Sequence, residues 1–231
     1  LSSIEEFDIS CHEKAENKYR GVCIEGADCP ENIFEFIDWL PKLGFNTFFL
    51  QFELPFAFLN LWYSHKNNPF LPAEDFSLEK AAEISLLIDK ELQKRSLKHH
   101  RVGHGWTCSV LNQNTLGWVV TDNTLDKSQL PLTALVDGKR GFFGGIPINT
   151  NLCYSNPDVV ENFAQKVAAY AEQHLEVDYL HVWLADASNN HCECENCQKA
   201  IPTDLYVRIL NKIDALLTEK GLKTKIVFLI Y

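Results

Sequence analysis

Apolar positions return along this chain in two alternating rhythms. Short runs in which nearly every residue is apolar are followed by longer stretches in which apolar residues recur every third or fourth position. The first rhythm suits strands covered on both faces, and the second suits helices with one buried stripe. Residues 20–25 read as a strand. Residues 30–43 read as a helix with Ile33, Phe34, Ile37 and Leu40 inward. Pro30 fits its first turn and Gly44 the position just past its end. Residues 46–52 predict a second buried strand. Residues 78–97 predict a helix opened by Ser77, with Ala81, Ile84, Ile88 and Leu92 on the inner face. A third strand is expected over 98–104.

Residues 105–151 break the rhythm, with scattered glycines and polar residues. A loop of that length is usually functional when ordered. Periodicity resumes at 155–158, which open a helix reaching about His174 with Val160, Phe163, Val167 and Tyr170 on one face. A fourth strand is expected over 179–186, a helix over 203–221 with Leu205, Ile209, Ile213, Leu216 and Leu217 inward, and a fifth strand over 225–231. Residues 40–49 and 217–226 repeat one design: a helix end, a glycine, an apolar residue, then a threonine leading into a strand. Recurrence of that unit is what a parallel sheet with helical crossovers requires.

The expected fold class is therefore α/β, a partial (β/α)8 TIM-type barrel of about five units with a long insertion after strand three. A doubly wound open sheet is the alternative, but no glycine-rich phosphate loop follows the first strand. Residues 1–17, polar and acidic, are set apart as an N-terminal segment suited to the end of a preceding domain, and 18–231 as the barrel. A barrel stopping at strand five would expose an apolar edge, and the chain starts with Leu and contains no Met. It is expected to be a piece truncated at its C-terminus.

Composition narrows the function. The 231 residues are 46% hydrophobic, enough for one large domain or two small ones. The formal net charge is −10 and no basic run exceeds two residues, which argues against nucleic acid or an anionic membrane as partner. No apolar run approaches the roughly 20 residues of a spanning helix. The eight cysteines do not form a secreted disulfide pattern. Reduced thiols suit a cytoplasmic location.

Cys192, Cys194 and Cys197 lie at C-x-C-x-x-C spacing, which lets three sulfurs converge on one soft cation. Cys153 is the first choice for the fourth ligand and His191 the second. Four closed ligands leave no open position, so a structural zinc is expected rather than a catalytic one. Unconnected or oxidised cysteines are the plain alternative.

Chemistry in barrels gathers at the carboxyl ends of the strands. Those ends read Glu25, Glu53, His104, Asp186 and Tyr231. Two carboxylates facing one cavity can act as acid and base across a glycosidic bond. Trp62, Tyr63, Trp106 and Trp118 would offer flat faces to sugar rings. Plainer roles exist for each: a strand-end carboxylate often caps a helix, a histidine often bonds a neighbouring strand, and tryptophans often fill cores.

Residues 19–27, 38–46, 103–108, 152–157 and 181–186 with 191–197 resemble the bacterial domain-of-unknown-function family 4838. The resemblance runs from about Tyr19 over nearly the whole chain, and its last motif is the most specific. It implies a glycoside-hydrolase-like TIM-type barrel, often preceded by a small β-rich domain, and implies that Cys153 belongs with the three clustered thiols. By weaker analogy, Asp186 matches the place after strand four where some hexosaminidase-type barrels keep a catalytic acid. Several of those carry two adjacent acids, whereas here the neighbour is Ala185.

These readings converge on a barrel acting on a carbohydrate by acid/base hydrolysis. Asp186 is the candidate acid and Glu25 or Glu53 its partner. His104, Trp106, Asn189, Asn190 and Tyr231 would contact the sugar. A barrel that binds carbohydrate without cleaving it, and a metal-dependent hydrolase working at the thiols, are the rival expectations.

Overall fold

The computed structural model of the chain describes residue 10 and residues 12–230. Five strands form one sheet: β1 (Gly21–Ile24), β2 (Thr47–Gln51), β3 (Lys98–Gly103), β4 (Tyr179–Val182) and β5 (Lys225–Val227). They lie in chain order, each parallel to the next. A doubly wound sheet would reverse its order at a switch point. This sheet does not, and it is part of a barrel.

The helices are α1 (Pro30–Trp39), α2 (Phe56–Tyr63), α3 (Leu78–Lys94), α4 (Trp106–Val110), α5 (Pro157–Gln173) and α6 (Pro202–Glu219). Ser77 caps α3 by accepting from the Lys80 N–H, and Asn156 caps α5 by accepting from the Asp158 N–H. The first helix ends earlier than its periodicity suggested. Pro41 has no N–H and its ring crowds the carbonyl one turn back, so 41–43 tighten into a 3-10 turn closed by Gly44 at φ 78°.

Alternation along the strands sorts residues into two layers. Phe48 and Leu50 of β2 pack with Ile33, Ile37, Ile84 and Ile88 of the helices. Leu180 and Val182 of β4 pack with Phe163, Val167, Ile209 and Ile213. The opposite face of the sheet is the lumen side, where Phe49 stacks on His181 with centroids 4.0 Å apart and meets Trp183 edge-on at 5.5 Å. A buried ion pair from Arg101 on β3 to Asp89, with Ser85 Oγ accepting at 3.0 Å, ties α3 to the sheet.

The fourth strand pairs only to Val182, four residues short of the expected Asp186, and the fifth stops at Val227. Beyond those points the neighbouring chains diverge into their turns, although the Trp183 N–H still reaches the Gly103 carbonyl at 3.2 Å. The irregular insertion contains the short helix α4 and several 3-10 turns.

Candidate functional site

Of the strand-end residues, the fold brings His104 and Asp186 together. His104 follows β3 and is buried. Its Nδ1 lies 2.7 Å from the Leu184 carbonyl, which can only accept, so Nδ1 carries a hydrogen. Nε2 then faces Asp186 Oδ1 at 3.7 Å. The other oxygen, Oδ2, accepts from the Trp118 indole N–H at 2.6 Å. Trp118 in turn packs edge-on against Phe52 at 5.7 Å and lies 6.0 Å from Phe58 of α2. Both oxygens of Asp186 are therefore addressed, yet its side chain remains 44% exposed.

The backbone beneath this site is strained. Phe52 and Val102 carry φ of 71° and 73°, and the Phe52 N–H donates to the Val102 carbonyl at 2.7 Å. A positive φ is a true outlier for a β-branched residue and concentrates at functional sites. Gly103 has no alternative either. A Cβ there would stand 3.1 Å from the Trp183 ring and 3.2 Å from Gln51 Cγ, at φ 91°. The glycine thus makes room for two lumen side chains rather than for an approaching ligand.

Glu25 and Glu53 are both exposed, and neither forms an ion pair or hydrogen bond with His104 or Asp186 among the described residues. Val22 and Ile24 of β1 pack toward the helices, and Glu25 follows the last residue of that strand. Glu53 lies where its charge helps raise the Tyr170 hydroxyl on α5; burial is the larger cause there.

Three expected sugar contacts sit elsewhere. Trp106 is buried with its indole N–H donating to the His181 carbonyl at 2.9 Å, so it is a core residue. Asn190 is also buried: its amide donates to the Asn149 carbonyl and accepts from Asn151, each at 2.8 Å. Asn189 and Asn190 line a cavity of about 650 Å³ together with Ala185 and Ala187, but Asp186 does not line it. That cavity therefore lies on the other side of the strand extension from the carboxylate. Tyr231 falls outside the described residues.

The thiols converge. The sulfurs of Cys153, Cys192, Cys194 and Cys197 lie within 4.8 Å of one another, with Cys153 to Cys194 at 3.6 Å and Cys153 to Cys197 at 3.9 Å. A tetrahedron with metal–sulfur bonds of about 2.3 Å has an edge of about 3.8 Å, so the set fits one ion and is far too open for a disulfide. The exposed His191 is not part of the cluster. The Leu135 N–H donates to Cys192 Sγ at 3.2 Å and the Cys197 N–H to Cys194 Sγ at 3.5 Å, which orients the ligands.

Several features escaped the sequence. The Trp118 donation depends on an irregular loop folding back 68 positions, which no periodicity reveals. On the lumen face, His100 Nδ1 lies 2.8 Å from His181 Nε2, while the outer nitrogens of both rings are buried without a partner. The alternation of β3 and β4 was the available signal for that pair.

The structure thus sets a strand-end carboxylate between a histidine and an indole at the rim of a partial parallel barrel. Residues 63–226, well over half the chain, match the family described as "Domain of unknown function (DUF4838)". The chain belongs to that family. No curated protein matches it. Among solved structures it is similar to the α-galactosidase from Lactobacillus brevis, at 12% identity and TM-score 0.52, over 92% of this chain and 26% of that one. It is also similar to a β-N-acetylhexosaminidase at 12% identity and TM-score 0.51, over 95% of this chain and 48% of that one. The chain thus spans a quarter to a half of these neighbours' length, and the likeness is one of fold. No helix among the described residues is long and apolar enough to cross a membrane.

Proposed function

We propose that this barrel acts on a carbohydrate, with Asp186 as the proton donor to a glycosidic oxygen. The observation that carries the reading is the clasp on Asp186. With Nδ1–H committed to Leu184, the His104 Nε2 faces one oxygen of Asp186 at 3.7 Å, and the Trp118 indole N–H holds the other at 2.6 Å. A carboxyl so held, part-exposed at the rim, can release its proton to a leaving group. Glu25 and Glu53, both exposed at strand ends, are the candidate partner carboxylates. His104 and Trp118 position the acid. The α-galactosidase and the β-N-acetylhexosaminidase among the fold neighbours lend support to a glycoside substrate.

For the thiols we infer zinc. Four sulfurs at tetrahedral spacing with N–H donors behind them suit that ion, which would brace the loop after β4. A closed sulfur shell leaves no position for an attacking water, which disfavours hydrolysis at the thiols. Binding without cleavage is the second reading. It is favoured by Ala185 beside Asp186 and by the lack, among the described residues, of a hydrogen bond between Asp186 and a second carboxyl group.

Asp186→Ala tests the proposal with two aryl glycosides of the accepted sugar. Turnover of the one with a poor leaving group should fall by about 10²- to 10⁴-fold, while a dinitrophenyl glycoside, which needs no acid, should lose little. Equal losses on both, or no loss, would remove Asp186 as the acid. Glycan binding with no hydrolysis of either by the unaltered protein would decide for the binding module.

A further inference from the structure

Asn151 stands between the thiol centre and the end of β4. It is 6% exposed, and its side-chain amide is fully engaged across chain segments. Oδ1 accepts from the Ala185 N–H at 3.2 Å and from the Tyr154 hydroxyl at 2.8 Å, and Nδ2 donates to Asn190 Oδ1 at 2.8 Å. Its carbonyl accepts from the Ala134 N–H at 2.8 Å.

Each partner is chemically consequential. Ala185 immediately precedes Asp186, and Tyr154 immediately follows the ligand Cys153. Asn190 lies two residues before Cys192, and Ala134 adjoins Leu135, whose N–H bonds the Cys192 sulfur. One buried amide thus touches both segments that supply the four sulfurs and the backbone that carries the carboxylate.

We propose that Asn151 is a positioning residue that couples ion binding at the four thiols to the placement of Asp186. This rests on the reading that the thiols take zinc. Without an ion, the two segments that supply the sulfurs are linked by weaker contacts, Asn151 to Asn190 and Ser155 Oγ to Cys197 Sγ at 3.1 Å, and they shift apart. Leaving a buried amide without partners is costly, so Asn151 moves with Tyr154 and Asn190 rather than letting go. The Ala185 N–H follows, and the Asp186 clasp on Trp118 and His104 opens. Coupling of this kind is reciprocal between the two sites.

The test needs no substrate. The indole N–H resonance of Trp118, assigned by its disappearance in Trp118→Phe, reports the bond to Asp186. In the unaltered chain, stripping zinc with a chelator should move that resonance toward the position of a free indole. Asn151→Ala should place it there even with zinc bound, and should lower zinc affinity in chelator competition on the order of tenfold, within the range usual for coupled sites. Asn151→Asp keeps the acceptor for Ala185 and Tyr154 but loses the donor to Asn190. It should weaken zinc while leaving the loaded resonance near its original place, and it carries the test if the alanine variant does not fold. A Trp118 resonance indifferent to zinc, in a chain that binds zinc, ends the coupling alone. A chain that takes up no zinc by metal analysis ends the zinc reading and the coupling with it.

Discussion

Acidification between pH 7.5 and 5.5 should destabilise this protein through its lumen histidines. Burial pushes His100 down to about 4; Asp178 opposes that shift and His99 adds to it. Burial, assisted by His100, pushes His181 down to about 3. The geometry explains why. One N–H and one lone pair are shared across 2.8 Å, which two neutral rings supply, and the outer nitrogens have no acceptor among the described residues for an added proton. Both rings are free to take a proton in the unfolded chain, near the ordinary value of about 6.5. The folded state therefore binds fewer protons, so the stability these rings confer is full above about pH 6.5 and is lost as pH falls toward their folded values. The unfolded rings titrate midway through that window, so each contributes a slope averaging about 0.7 kcal/mol per pH unit, and two units of acidification remove about 2–3 kcal/mol from the pair. His99, also lowered by burial, adds in the same direction. Urea denaturation at several pH values would measure the slope, and His181→Asn should reduce it by nearly one proton at the acidic end of the window. A flat dependence from pH 7.5 to 5.5, or an unchanged slope in the variant, would refute the assignment of neutral, sealed rings.

Two further outcomes follow from contacts already described. Asp89→Ala leaves Arg101, whose side chain is 3% exposed, without its counter-charge; unfolding free energy should drop by about 3–5 kcal/mol in denaturant titration. Trp118→Phe keeps the packing on Phe52 and Phe58 but deletes the donor to Asp186. Because both partners are partly exposed, the loss should be about 1 kcal/mol, or roughly fivefold in kcat with KM little changed.

Much of the architecture is written in periodicity. The inner stripes of α3, α5 and α6 and the apolar cores of β2 and β4 follow directly from their spacing. Helix α2 does not, because Phe56–Tyr63 is apolar on nearly every side and offers no stripe to detect. Strand four reads too long because apolar character persists through Ala185 after its pairing ends. The thiol set is legible from spacing, with Cys153 supplied by position and by family likeness. His104 and Asp186 are legible as strand ends. Their clasp is not, since the tautomer is set by a carbonyl on another strand and the indole arrives from an irregular loop. Asn151 carried no signal at all: an asparagine in a loop becomes a hub only once four segments meet around it.

Strand order has a consequence for how the chain reaches this state. β1 pairs with β2 and β2 with β3 across connections of 22 and 46 residues. β3 must then wait for β4 while residues 104–178 find their place. Closing that span costs more chain entropy than any other step. Local pairings favour speed and distant ones retard it, so the docking of β4 should set the folding rate. Four sulfurs that knit the insertion to the loop after β4 would then act as a late clamp, securing the slowest closure after it has formed.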